Sequence, residues 1–247
     1  MLPIELDRST FRLSYGEGVY APEQEVRTLD AIRPSLLDEH ARGPAEVYVI
    51  AMDVGLERDR HVLEQNMLLL GIVGYARGRI GDEPVRSQGH VHKPSPHSGW
   101  SPPEVFEIWE GTAIIYMQSS VCDDPGHCYA IRAEKGDTVI CPPGWGHMVI
   151  NADPDSEMVF GALCDRGYAG YDYEEVRRHR GLAYYPLVNE QGEIEWRHNP
   201  AFADRALIQR GPLQYWFSEK LETHSLYETA VEWPELFQAI PHPERFG

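Results

Sequence analysis

Cysteine is scarce in this chain, with four in 247 residues, at positions 122, 128, 141 and 164. None forms a C-x-x-C pair, so neither a disulfide scaffold nor a thiolate zinc site is expected; ordinary thiols in a reducing cytoplasm are. Cys122 and Cys128 flank Asp-Asp-Pro-Gly-His, which reads as a hairpin turn. Positive charge is also in short supply. Lys and Arg number 22 against 39 Asp and Glu, a formal net charge of −17. Such a chain is expected to repel nucleic acid and anionic membranes, and any anion it binds needs locally concentrated positive charge. No apolar run approaches the roughly 20 residues of a membrane-spanning helix. The opening MLPIELDRSTFRL lacks the basic start and apolar core of a signal peptide. Internal repeats and low-complexity stretches are absent too.

What is present suffices for a sizeable core: 42% of residues are hydrophobic. Residues 27–41 read as mostly helical, broken at Pro34. From Glu46 the texture turns to β, with β-branched and aromatic residues over 46–54 and 62–73. Short apolar runs follow at 105–109, 113–117, 129–133, 138–141, 148–150 and 158–163, each bounded by Gly, Pro, Asp or Asn. Many short strands at this spacing predict a mainly β sandwich or barrel. EEVRRHRG reads as a short helix stopped at Gly181. Residues 184–188 and 193–196 read as a hairpin around Asn-Glu-Gln-Gly. From Ala203, apolar residues at helical spacing predict a helical tail. The expected division is a barrel domain over 1–203 and a helical extension over 204–247, packed on the barrel or across a homodimer.

The chemistry gathers in two places. His90 and His92 in Gly89-His-Val-His are two apart, so on a strand both imidazoles face one side and can meet one ion. Glu104 opens a strand-like run, Glu-Val-Phe-Glu-Ile-Trp-Glu-Gly111, that would carry a carboxylate to the barrel mouth. Glu107 and Glu110 compete for that role, but Glu107 lies three residues on and faces the opposite side of a regular strand. In GDTVICPPGWGHMVIN, residues 136–151, Gly and Pro turn the chain between strands and His147 starts the second. A lone His-x-His is more often a solvated or hydrogen-bonded pair, and three histidines can be packing residues. Together, three imidazoles and one carboxylate suit a single divalent ion of iron, manganese, nickel, zinc or cobalt. On an octahedral ion they leave two positions for substrate or water.

Residues 136–151 resemble the second cupin motif at Gly136, Pro142, Gly144, His147 and Asn151. Residues 89–111 resemble the first, with a longer interval between the histidines and Glu104. The resemblance implies a double-stranded β-helix (jelly-roll) barrel. A more specific one, over residues 10–203, is to the cupin-type glucose-6-phosphate isomerases of archaea and some bacteria. It rests on Ser87-Gln-Gly-His-Val-His92, Glu104-Val-Phe-Glu-Ile-Trp-Glu-Gly, Pro142-Pro-Gly-Trp-Gly-His147, Ala169-Gly-Tyr-Asp-Tyr173 and Asn189-Glu-Gln-Gly-Glu-Ile-Glu-Trp196. It implies aldose–ketose isomerisation of a sugar phosphate, with His90, His92, Glu104 and His147 as ligands, Glu104 as proton carrier and Tyr173 near the substrate. A hydride shift needs the same residues. Ser87, Gly89, Arg86 and Lys93 are the expected substrate contacts. The departures are Gln88 where the family has lysine, Leu68-Leu-Leu70 near an expected phosphate-binding threonine, Tyr171 for a common histidine, and an inserted loop over 93–103. Arg79, Arg86 and Lys93 are the candidates for restoring positive charge. Isomerisation of another anionic or neutral sugar, an iron dioxygenase and a non-catalytic sugar-binding cupin are the alternatives.

Overall fold

The computed structural model describes residues 2–245; Met1, Phe246 and Gly247, which the expected domain division includes, lie outside the described residues. Two sheets face each other. The larger has six strands in the order Thr138–Cys141, Glu104–Glu110, Met158–Asp165, Leu68–Tyr75, Glu46–Ala51 and Glu25–Thr28, all antiparallel. The smaller runs Gly146–Asn151, Thr112–Gln118, Cys128–Glu134 and Leu207–Arg210, the last pair parallel. The fold is mainly β, a jelly-roll barrel of the cupin type, with short helices before it and more after it.

Burial explains the strand sequences. Residues Leu68–Tyr75 and Met158–Asp165 are buried at every position, because both faces of the larger sheet are covered. Leu69, Val73, Tyr75, Phe106, Ile108, Phe160 and Ala162 point into the barrel and meet Ile115, Ile131 and Val149 of the smaller sheet. Their neighbours Leu70, Ile72, Val105, Trp109 and Leu163 point outward into a second cluster. The N-terminal hairpin, helix Arg60–Gln65 and the C-terminal segment close over that cluster, supplying Leu13, Leu63, Phe217, Leu226 and Phe237. A third cluster backs the smaller sheet, where Val176, Leu182 and Phe202 cover Ile114 and Met148.

Three local readings change. The 62–73 run splits: helix Arg60–Gln65 buries only Leu63, the chain turns at Met67 with φ 55°, and the strand starts at Leu68. Glu64-Gln65-Asn66 interrupt the strand alternation there. Residues Glu25–Thr28 form a strand before the short helices Leu29–Ile32 and Arg33–Ser35, because the edge of Glu46–Ala51 offers them a pairing partner. The tail likewise opens with strand Leu207–Arg210 on the free edge of Cys128–Glu134. Its helix Leu226–Glu232 starts with a capping box between Ser225 and Glu228. The hairpin of Tyr184–Val188 and Ile194–His198 and helix Glu174–Arg178 form where expected.

Candidate metal centre

Strand alternation sends Glu104, Phe106 and Ile108 inward. Glu107 goes outward, where it accepts from Trp109 Nε1 at 2.7 Å and from the backbone N–H of Leu226 at 2.9 Å. The carboxylate facing the histidines is therefore Glu104. His90 and His147, far apart in sequence, form an isolated antiparallel bridge. Each backbone N–H donates to the other's carbonyl, at 3.0 and 2.9 Å, and the ring centroids come to 4.3 Å. His92 sits on the two-residue strand Val91–His92, paired with Tyr171–Asp172. Gly89, just before His90, has φ 87°, and a Cβ there would lie 3.0 Å from Leu182. Its contribution is this turn.

The result is four donors, one each from His90, His92, Glu104 and His147, all within 4.8 Å of one another. Glu104 Oε2 lies 3.4 Å from His92 Nε2 and 3.2 Å from His147 Nε2. His92 Nδ1 lies 3.0 Å from the Pro102 carbonyl and His147 Nδ1 3.2 Å from that of Trp145. A carbonyl only accepts, so both Nδ1 atoms carry hydrogen and both Nε2 atoms turn toward the centre. Pro102 belongs to the inserted loop, which thereby orients His92. His90 Nε2 is buried with no hydrogen-bond partner. A buried nitrogen without a partner is costly for a packing histidine and suits a metal ligand.

Electrostatics agree. Burial, with His147 and His92 nearby, holds the pKa of His90 well below the usual value. Burial also lowers that of His92. Burial pushes the Glu104 carboxyl up, but the hydrogen bond from His147 and the nearby imidazoles outweigh it and bring it below its ordinary value. Burial opposes charge on His147, yet Cys141 and Glu104 hold its pKa well above the usual value. The set thus offers two neutral imidazoles and a carboxylate–imidazolium pair whose single proton a cation can replace. On donors, protonation and the orphaned His90 nitrogen, the residues fit a divalent ion.

Two further side chains complete the centre. Cys164, on the strand beside Glu104, places its Sγ 3.2 Å from Glu104 Oε1. Burial, then the Glu104 charge, push its thiol well up, so it stays protonated and donates. The Tyr171 ring lies 4.4 Å from that of His90, and Tyr173 lies 6.1 Å from it. The barrel space around them has a cavity volume of about 40 Å³ and is lined by Arg27, Ser87, His90, Glu104, His147, Tyr171 and Tyr173 along with apolar side chains. His92 stands behind the lining.

The expected substrate contacts are placed unequally. Ser87 lines the space, its Oγ accepting from the Val149 N–H at 3.1 Å. Arg86 is turned away and buried. It donates to Glu83 at 2.6 Å, to the Ser35 carbonyl at 2.7 Å and to the Ser87 carbonyl at 2.9 Å, so its fork is occupied in tying the strand to the N-terminal segment. Lys93 is exposed and does not line the space, and neither does Gly89. The arginine that does is Arg27. Sequence reasoning missed it because it lies outside every motif, in a stretch read as helical. Cys164 was missed because only strand pairing sets it beside Glu104.

A jelly-roll barrel that gathers three imidazoles and a carboxylate around one point defines a cupin with a candidate metal centre. The family model for glucose-6-phosphate isomerase (GPI) matches residues 19–203, well over half the chain, and the chain belongs to that family. Among relatives, a putative glucose-6-phosphate isomerase 1 of Rhizobium meliloti is 23% identical over 133 residues, 54% of this chain and 57% of that protein. The glucose-6-phosphate isomerase of Pyrococcus abyssi is 28% identical over 123 residues, 50% of this chain and 58% of that protein. The chain thus spans little more than half the length of these relatives. Among solved structures, an oxalate oxidase has TM-score 0.34 and 18% identity, covering 42% of this chain and 45% of that one. A mutant of Bacillus subtilis oxalate decarboxylase has TM-score 0.38 and 16% identity, covering 51% and 28%. Both of these likenesses are slight.

Proposed function

We propose that this protein is a metal-dependent aldose–ketose isomerase acting on a sugar phosphate, with glucose 6-phosphate and fructose 6-phosphate as its pair. One observation carries the reading: in a member of this family, the donors of His90, His92, Glu104 and His147 converge within 4.8 Å beside a space in the barrel. A divalent ion held there would stabilise negative charge developing on the carbonyl and hydroxyl oxygens of a bound sugar. Glu104, ionised in the barrel, takes the proton from the carbon beside the carbonyl and returns it to the neighbouring carbon. The Cys164 hydrogen bond holds the carboxylate in place. Tyr171 and Tyr173 wall the sugar site and keep water from the exchanging proton, and Ser87 offers a hydroxyl to the sugar. The unpaired thiols suit a reducing cytoplasm. Ile208, Leu213 and Trp216, exposed in the tail, support a homodimer.

The test is isomerisation by metal-stripped protein reloaded with manganese, iron, nickel, zinc or cobalt, against a panel of aldose and ketose phosphates. Glu104→Gln keeps the size but removes the basicity, and turnover at saturating metal should fall by about a hundredfold or more. Oxygen consumption with iron, and no isomerisation with any metal, would replace this reading with a dioxygenase.

A further inference from the structure

An acidic chain that takes an anionic sugar needs one well-placed cation, and the two expected in the motif region do not serve. Arg86 is occupied by Glu83, Ser35 and Ser87, and Lys93 lies outside the space. Among the described residues, Arg27 is the one lysine or arginine that lines it. Its strand pairs with Glu46–Ala51 so that Arg27 stands opposite Tyr48, and Tyr48 in turn opposite Tyr75, the two rings stacked at 5.0 Å. The register shifts between Arg27 and Thr28, the kind of irregularity that re-aims a side chain. The guanidinium is only partly satisfied. One terminal nitrogen meets Glu25 at 2.9 Å, an exposed partner, while Nε is buried and has no hydrogen-bond partner. An unmet charged donor beside a ligand space is an expensive arrangement unless something arrives to accept from it. A planar guanidinium suits the oxygens of a phosphate or carboxylate.

We infer that Arg27 is the anion-recognition residue of the barrel: it binds the negatively charged group of the substrate, while the centre at His90, His92, Glu104 and His147 receives the carbonyl end. The assignment of ends rests on the isomerase reading; the anion site does not. Tyr173 lines the same space as Arg27, its ring 6.1 Å from that of His90. Glu25 is the placeholder that an arriving anion outcompetes.

The experiment is calorimetric titration of the manganese-loaded full chain with fructose 6-phosphate, with gluconate as a carboxylate, and with fructose as the neutral sugar. The wild type should bind an anionic sugar more tightly than fructose. Arg27→Gln should weaken that anion by roughly ten- to a hundredfold, the worth of a charged hydrogen bond, and leave fructose binding and metal content unchanged. Arg27→Lys should fall between. Glu25→Gln should leave anion binding unchanged or tighten it by up to about fivefold, as expected for a surface ion pair. Loss confined to fructose 6-phosphate names phosphate as the ligand group; loss confined to gluconate names carboxylate. Three results overturn the inference: Arg27→Gln binding the anion normally, equal losses for anion and neutral sugar, or a wild type that does not prefer either anion. Isomerisation is assayed in the same samples. Arg27-dependent binding without turnover of any sugar removes the isomerase reading and leaves the anion site. Turnover indifferent to Arg27→Gln does the reverse.

Discussion

At the scale of single residues, the candidate centre is held by groups outside its four donors. Cys164 donates to Glu104 Oε1 at 3.2 Å and leaves Oε2 turned toward the histidines. Cys164→Ala should lower metal affinity by about tenfold, within the range seen when a ligand's hydrogen-bond partner is lost. Cys164→Ser keeps a donor and should restore most of it. Competition with a chelating dye measures both, and equal affinities for Ala and wild type would remove Cys164 from the centre. The raised pKa of His147 carries a second consequence. With its folded pKa above the ordinary 6.5, the imidazolium stabilises the metal-free fold fully below that value and loses this contribution as pH rises through the folded pKa. A metal must displace the same proton, so apparent affinity should climb about tenfold per pH unit over that window and then level off. A flat profile from pH 6.5 upward would mean that His147 is neutral without metal.

Among elements, the strand Glu104–Glu110 links the two halves of the protein's work. Its inward face carries Glu104 to the centre, and its outward face carries Glu107 to the tail. There the buried carboxylate accepts from Trp109 and from the first N–H of helix Leu226–Glu232. Glu107→Ala should destabilise the fold by about 1–3 kcal/mol, because two buried donors lose their acceptor, while metal content stays normal. Glu104→Gln should instead lose metal affinity and activity. Thermal melts beside metal analysis separate the two. If Glu107→Ala strips the metal, the two faces of the strand are not independent.

At the scale of the whole molecule, the tail divides its aromatics. Phe217, Leu226 and Phe237 are buried within the chain's own second core, whereas Trp216 is 55% exposed and Leu213 50%. The buried group joins the barrel to its extension. The exposed group is the surface on which the proposed homodimer rests. Sedimentation of the full chain should show a dimer, and Leu213→Asp combined with Ile208→Asp should shift it toward monomer. A wild-type monomer at micromolar concentration would end the dimer reading.

The sequence alone determined the class of fold and most of the centre. Short apolar runs punctuated by Gly, Pro and Asp dictate many strands. The two-residue spacing of His90 and His92 puts their imidazoles on a common face, and the resemblance of Pro142-Pro-Gly-Trp-Gly-His147 to the second cupin motif implies that His147 joins them. Period-two alternation also separated Glu104 from Glu107. These signals were legible because each is local: a turn or a strand period involves only a few consecutive residues. Other features depended on which distant strands pair. The extended backbone at Arg27 follows from the free edge of Glu46–Ala51, which overrides the helical reading of 27–41. The Cys164–Glu104 contact follows from the register that sets Val105 against Leu163. Arg86 looked like a ready cation until folding enclosed it with Glu83 and Ser35, and Pro102 looked like part of a plain insertion until its carbonyl met His92. Long-range register and burial are collective properties of the closed barrel. Only the tertiary structure therefore decided which cation faces the barrel space and which groups orient the four candidate donors.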